Sequence, residues 1–141
     1  MNIKQKFLQL VSACGKDEEL FDFIEMGMNA MVNYVGKVAY MEYCIPLYNA
    51  RYEGQKFRDK IQELDERRRM AHESAISAVN SLTRLAKNLG VEPMFDGDPE
   101  DRYQIADFCE AMVHEFFVDR SGVPTHKLEE YIEITNTSLE R

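Results

Sequence analysis

Residues 64–90 read LDERRRMAHESAISAVNSLTRLAKNLG. The apolar positions Leu64, Ala71, Ala75, Ala78, Leu82 and Leu85 recur at threes and fours, with Arg68 occupying one step of the stripe. That is the period of an α-helix with one buried face. From Ala75 a second apolar row joins it through Ile76, Val79 and Ala86, so the later half of the segment is expected to be deeply packed. Phe57 and Ile61 extend the stripe backwards, and Gly90 stands where a helix ends.

The same period runs outward in both directions. Residues 2–13 form a short amphipathic stretch that stops at Gly15. Asp17 then caps a second helix, with Glu18 and Glu19 in its first turn, where negative charge suits the macrodipole. Its stripe is Leu20, Ile24, Met28, Met31, Val35, Val38, Ile45, and Pro46 is expected to end or kink it. A hairpin follows, turning either at Pro46 or near Gly54. After a loop over residues 91–98, Asp98 and Pro99 read as the cap and first position of another helix, running through Ile105, Cys109 and Met112 to about Asp119. RSGVPT interrupts the pattern. A last helix carries Leu128, Tyr131, Ile132, Thr135 and Leu139. No alternating β pattern occurs. The expectation is one all-α domain over residues 1–141: an up-and-down four-helix bundle with a short additional N-terminal helix.

Composition agrees. Apolar residues make up 45% of 141, enough for one core, and no apolar run reaches the ~18 residues of a membrane span. A net charge of −8 opposes nonspecific nucleic-acid or anionic-lipid binding. Cys14, Cys44 and Cys109 lie far apart and are odd in number, which points to reduced, buried thiols and a cytoplasmic chain.

The chemistry concentrates in DERRRMAHES, residues 65–74. Asp65, Arg69 and His72 fall on one helical face, and Asp65 also precedes Arg68 by three. Arg68 sits in the apolar stripe, where an arginine needs a partner. Glu42 interrupts the stripe of the second helix, so a turn near Gly54 would bring it toward Arg68 or Arg69, and a turn at Pro46 toward Arg51. Glu42, Asp65, Arg68, Arg69 and His72 therefore form either a polar layer that fixes helix register or the lining of a ligand site. A guanidinium beside His72 would favour its neutral ring.

No metal or cofactor site is implied. Glu-x-x-His pairs are missing, His114 with Glu110 and Asp107 nearby reads better as a solvated or capping histidine than as a ligand, and DGDPED at 96–101 departs from a calcium loop at its sixth and twelfth positions. Tyr34, Tyr40, Tyr43, Tyr48 and Tyr52 crowd the end of the second helix, as the cap of a core, a pocket wall or an oligomer interface.

Two resemblances add to this reading. The six residues Arg67 to His72 resemble the signature of HEPN-family helical ribonucleases. That resemblance implies a phosphate-stabilising role for Arg67 and proton transfer by His72 across a dimer interface. Arg68 departs from it, standing where a small polar residue is usual. The run LDERRRMAHESAISAVNSLTRLAKNLGV, with FDGD and DRYQIADFC after it, resembles the bacterial domain-of-unknown-function 3232 family, with Thr83 in place of an expected asparagine. This likeness spans most of the chain. It implies an all-helical protein and supplies no activity. The function expected is therefore a binding or interaction module built around a Glu/Asp/Arg/His polar layer, with a second copy of the chain or an unidentified protein or small molecule as its partner. A metal-independent ribonuclease using Arg67 and His72 is the alternative.

Overall fold

The computed structural model describes residues 1–116 and holds four helices: α1 Ile3–Ala13, α2 Glu18–Arg51, α3 Gly54–Asn88 and α4 Arg102–Phe116. No strand occurs among the described residues. The RSGVPT break and the last expected helix lie outside them.

Three of the four helix starts have a side-chain cap, and α3 begins after Glu53 without one. Asn2 and Gln5 form a reciprocal capping box, the Asn2 side chain accepting from Gln5 N–H at 2.9 Å and Asn2 N–H donating to Gln5 Oε1 at 3.0 Å. Asp17 accepts from the N–H groups of Glu19 and Leu20, as its position before two acids suggests. The loop before α4 differs from expectation. Asp98 accepts from Glu100 N–H at 2.9 Å, and its carbonyl accepts from Asp101 N–H at 3.1 Å, so Pro99 turns the chain instead of opening the helix. Asp101 is the actual cap, holding Tyr103 and Gln104 N–H at 3.0 and 3.2 Å. Two acid-led turns in succession displaced the helix start by one turn.

Pro46 does not end α2. The helix runs on to Arg51, and the hairpin turns at Tyr52 and Glu53, just before Gly54, whose φ of +57° suits a glycine. Pro46 lacks an N–H for the Glu42 carbonyl, but both residues are exposed, so water can serve that oxygen.

α2 and α3 pair antiparallel: Tyr34 meets His72, and Gly27 lies against Leu82. At Gly27 the helices approach so closely that an added Cβ would stand 2.9 Å from Leu82 Cδ1. α1 and α4 pack on one face of this hairpin. Phe7, Leu10, Ile24, Met28, Met31, Val79, Ile105, Cys109 and Met112 are fully enclosed between them. Burial pushes the Cys109 thiol up to about 12. The contiguous core stops at Val38 on α2 and Ala71 on α3. Beyond it, among the described residues, the two helices continue without a third as an arm over residues 40–66, in which Cys44 and Leu64 are the buried apolar residues. At 1.5 Å per residue the arm extends roughly 20 Å past the body.

Candidate functional site

The polar residues singled out in α3 gather where the arm meets the body. Asp65 and Arg68 pair within the helix: Arg68 Nε and Nη2 both donate to Asp65 Oδ1, at 3.0 and 2.8 Å. Both side chains are half-buried. The Arg68 guanidinium also lies beside the Tyr34 hydroxyl, where it opposes the upward shift that burial gives that phenol. The stripe position of Arg68 is thus satisfied by Asp65, three residues away, and by Tyr34 on α2, not by Glu42.

His72 is turned into the body and is 8% exposed. Its ring stacks on Tyr34 with centroids 4.5 Å apart and planes 19° from parallel. Nε2 lies 3.3 Å from the Arg102 carbonyl. A carbonyl only accepts, so Nε2 carries the proton and donates. Burial holds the His72 pKa below its ordinary value. The Arg102 carbonyl opposes that shift, and the Arg102 and Arg68 charges reinforce it. The Arg102 side chain closes the group by pairing with Glu73, and this bond, together with the Arg102 charge, holds the Glu73 carboxyl below the usual glutamate range. The first residue of α4 is therefore fastened twice to successive residues of α3.

Asp65, Arg68 and His72 form one half-buried cluster. Arg69 is exposed, close enough for its charge to act on Glu73. Glu42 is exposed as well and makes no hydrogen bond or ion pair among the described residues, although the hairpin turns where that pairing required. A helix advances 100° per residue, so the face that Glu42 occupies points to water once the core stripe is set by Cys44. Arg67 is exposed and paired with Glu63 at 3.2 Å. Five positions separate it from His72, about 140° around the helix, and within one chain the two do not meet. Among the described residues no three His, Cys, Asp or Glu side chains converge as metal ligands.

Tyr34, Glu73 and Arg102 complete the cluster and were not among the residues singled out there from the sequence. Tyr34 was legible only as one tyrosine among five. Glu73 and Arg102 are 29 residues apart, and nothing local links them. Chemically, the cluster is a latch. Its one imidazole is enclosed, neutral near pH 7 and already donating, and its carboxylates are held by guanidinium groups.

The tyrosines at the hairpin end lie differently. Tyr48 and Tyr52 meet edge to face at 5.7 Å, and Arg51, Lys56 and Lys60 stand over the Tyr52 ring at 5.5–5.7 Å. Tyr40, Tyr43, Ile45 and Leu47 face water. No helix among the described residues is long and apolar enough to cross a membrane.

Comparison with known proteins gives a family and no activity. The family described as "Protein of unknown function (DUF3232)" matches residues 2–122, most of the chain and every helix described above. The chain belongs to that family. No curated protein and no solved structure matches it.

Proposed function

We propose that this member of the family is an interaction module whose partner is a second copy of the same chain, the two meeting along the arm formed by residues 40–66. One observation carries this: Tyr40, Tyr43 and Leu47 are 52%, 67% and 50% exposed at helical spacing on a two-helix segment that no third element covers among the described residues. Two helices cannot enclose a core, and an aromatic and aliphatic row of this kind is the usual centre of a protein contact. A two-fold contact requires a self-complementary surface. The arm carries both signs along its length, with Glu42, Asp59 and Glu63 among Arg51, Lys56, Arg58 and Lys60. Two arms laid antiparallel make four helices around one shared apolar seam.

The polar cluster then has a supporting role. Asp65, Arg68 and His72 sit at the root of the arm and fix its direction relative to the body. In this reading the body is an up-and-down bundle, and the arm is its contact surface.

Sedimentation across a concentration series tests the assignment. The unaltered chain is expected to pass from monomer to dimer, and the Tyr43→Ser/Leu47→Ser double variant to remain monomeric over the same range with unchanged helical circular dichroism. A chain that stays monomeric at every concentration, or a double variant that associates as well as the parent, would sink the proposal.

A further inference from the structure

The tip of the arm gathers positive charge around one ring. Tyr52 follows the last residue of α2 in extended backbone, and its N–H donates to the Tyr48 carbonyl at 2.8 Å. The rings of Tyr48 and Tyr52 meet edge to face, which steadies the Tyr52 ring from the α2 side. Arg51 Cζ, Lys56 Nζ and Lys60 Nζ stand 5.5, 5.6 and 5.7 Å from its centroid. Lys56 and Lys60 are four apart on α3, a spacing at which like charges repel, and Arg51 brings a third charge from α2. The face of a tyrosine offsets only part of that repulsion. Among the described residues no carboxylate completes the balance. Arg51, Lys56 and Lys60 take part in none of the ion pairs there. Of the two acids at the tip, Asp59 accepts from Gln55 at 2.7 Å, and Glu53 is exposed and in no ion pair. Arg58, the fourth cation, donates to Gln55 and not to either acid.

We infer that the group of cations around Tyr52 is a binding site for a phosphate-bearing anion, held by Arg51, Lys56 and Lys60. Phosphate answers this arrangement better than a carboxylate does. It carries about two charges near pH 7 and several acceptor oxygens, so one group can meet a planar guanidinium and two ammonium groups together. A carboxylate brings a single charge and would leave cations over. The acidity of the whole chain does not oppose this. Residues 51–60 hold four cations and two acids in a chain of net charge −8, and the arm carries them roughly 20 Å from the body. Interactions between exposed charges fade over about 8 Å at physiological ionic strength, so the acids of the body are screened from the tip. The nearer acids Glu63 and Asp65 are already paired, with Arg67 and Arg68. Net charge therefore limits loose binding along the body, not capture at the tip. The site shares no residue with the row of Tyr40, Tyr43 and Leu47 that the arm offers to a second copy.

Two probes applied to the full chain test the site and the source of its phosphate: calorimetric titration with inorganic pyrophosphate, and flotation with vesicles of phosphatidylglycerol or of phosphatidylcholine. The unaltered chain is expected to bind pyrophosphate, and Lys56→Gln/Lys60→Gln to bind it at least tenfold more weakly. Glutamine forms helix about as well as lysine, so the circular dichroism of the double variant should be unchanged. Lys87→Gln removes an exposed cation at the other end of α3 and is expected to bind as the parent does. Binding to phosphatidylglycerol vesicles without a response to pyrophosphate, lost in the same double variant, would support the site and make a lipid headgroup the source. Absence of binding to both probes would overturn the assignment. So would undiminished binding by the double variant, an equal loss in Lys87→Gln, or equal flotation with the two lipids and no response to pyrophosphate. Run at the dilute end of the sedimentation series, with Tyr40, Tyr43 and Leu47 intact, these readings do not depend on whether the arms associate.

Discussion

Residues 18–39 and 67–88 are overlaid by α1 and α4, and residues 40–66 of the same two helices are not. Helix geometry is continuous across that boundary, so propensity and hydrogen bonding do not distinguish the regions. Packing does. In the body Ile24, Ile105 and Cys109 reach complete burial, while in the arm only Cys44 and Leu64 are enclosed and Tyr40 and Tyr43 turn outward. A hairpin of two helices has one shared seam, and burying more than that seam needs a third layer. Most helical stability in proteins comes from such packing. The body therefore holds the fold, and the arm is available for contact.

Substitution in the two regions should separate these roles. Ile105→Ala removes a fully buried side chain beneath helices that cannot close over the gap, and is expected to lower unfolding free energy by about 4 kcal/mol. Leu64→Ala takes away a similar side chain, but water lies on the outer sides of both arm helices, which can move together. About 2 kcal/mol is expected there. Urea unfolding of both variants measures the contrast, and equal losses would mean that the arm is packed as tightly as the body.

Pro46 allows a test in the other direction. A proline inside a helix costs up to about 3 kcal/mol relative to alanine. The arm carries that cost at an exposed position, where the Glu42 carbonyl can turn to water. Pro46→Ala should therefore steady the arm without touching the core. Amide exchange over residues 43–52 is expected to slow at least tenfold, which corresponds to about 1.4 kcal/mol. Exchange in α4 should be unchanged, and equal slowing in both would break the distinction between the regions.

The boundary itself was partly legible in the sequence. Spacing at threes and fours marked every described helix, and Asp17 and Gly90 marked ends correctly, because those signals are local. Pro46 left the place of the turn open for a related reason: its steric rule is local, but whether the freed carbonyl finds water depends on which side the core lies. The start of α4 failed at Asp98 because two acids three residues apart offer the same capping chemistry, and the choice between them depends on the turn around Pro99. The polar cluster was readable only within α3. Asp65, Arg68 and His72 share a helix, so their meeting follows from spacing. Tyr34 and Arg102 reach them through tertiary structure alone. Glu42 showed the limit of pairing by charge, since an interrupted stripe on each helix did not imply that the interruptions face each other.

His72 stands at the junction of the two regions and gives the smallest expected effect, a slope. Its folded pKa lies below the ordinary 6.5 because burial against Tyr34 disfavours the cation. The charges of Arg102 on α4 and Arg68 on α3 act in the same sense, and the Arg102 carbonyl and Glu73 act against it. Just below pH 6.5 the unfolded chain then binds a proton that the folded chain refuses. The contribution of the neutral ring is complete above 6.5, is lost as pH falls through that value, and stops changing once the folded group also titrates. His72→Gln keeps a donor for the Arg102 carbonyl and has no proton to gain. Urea midpoints between pH 7.5 and 5.5 should therefore fall for the parent more steeply than for the variant, while the carboxylates below that range affect both alike. Parallel profiles would mean that the ring is as well solvated as a surface histidine, and the latch between α3 and α4 would then rest on Arg102 and Glu73 alone.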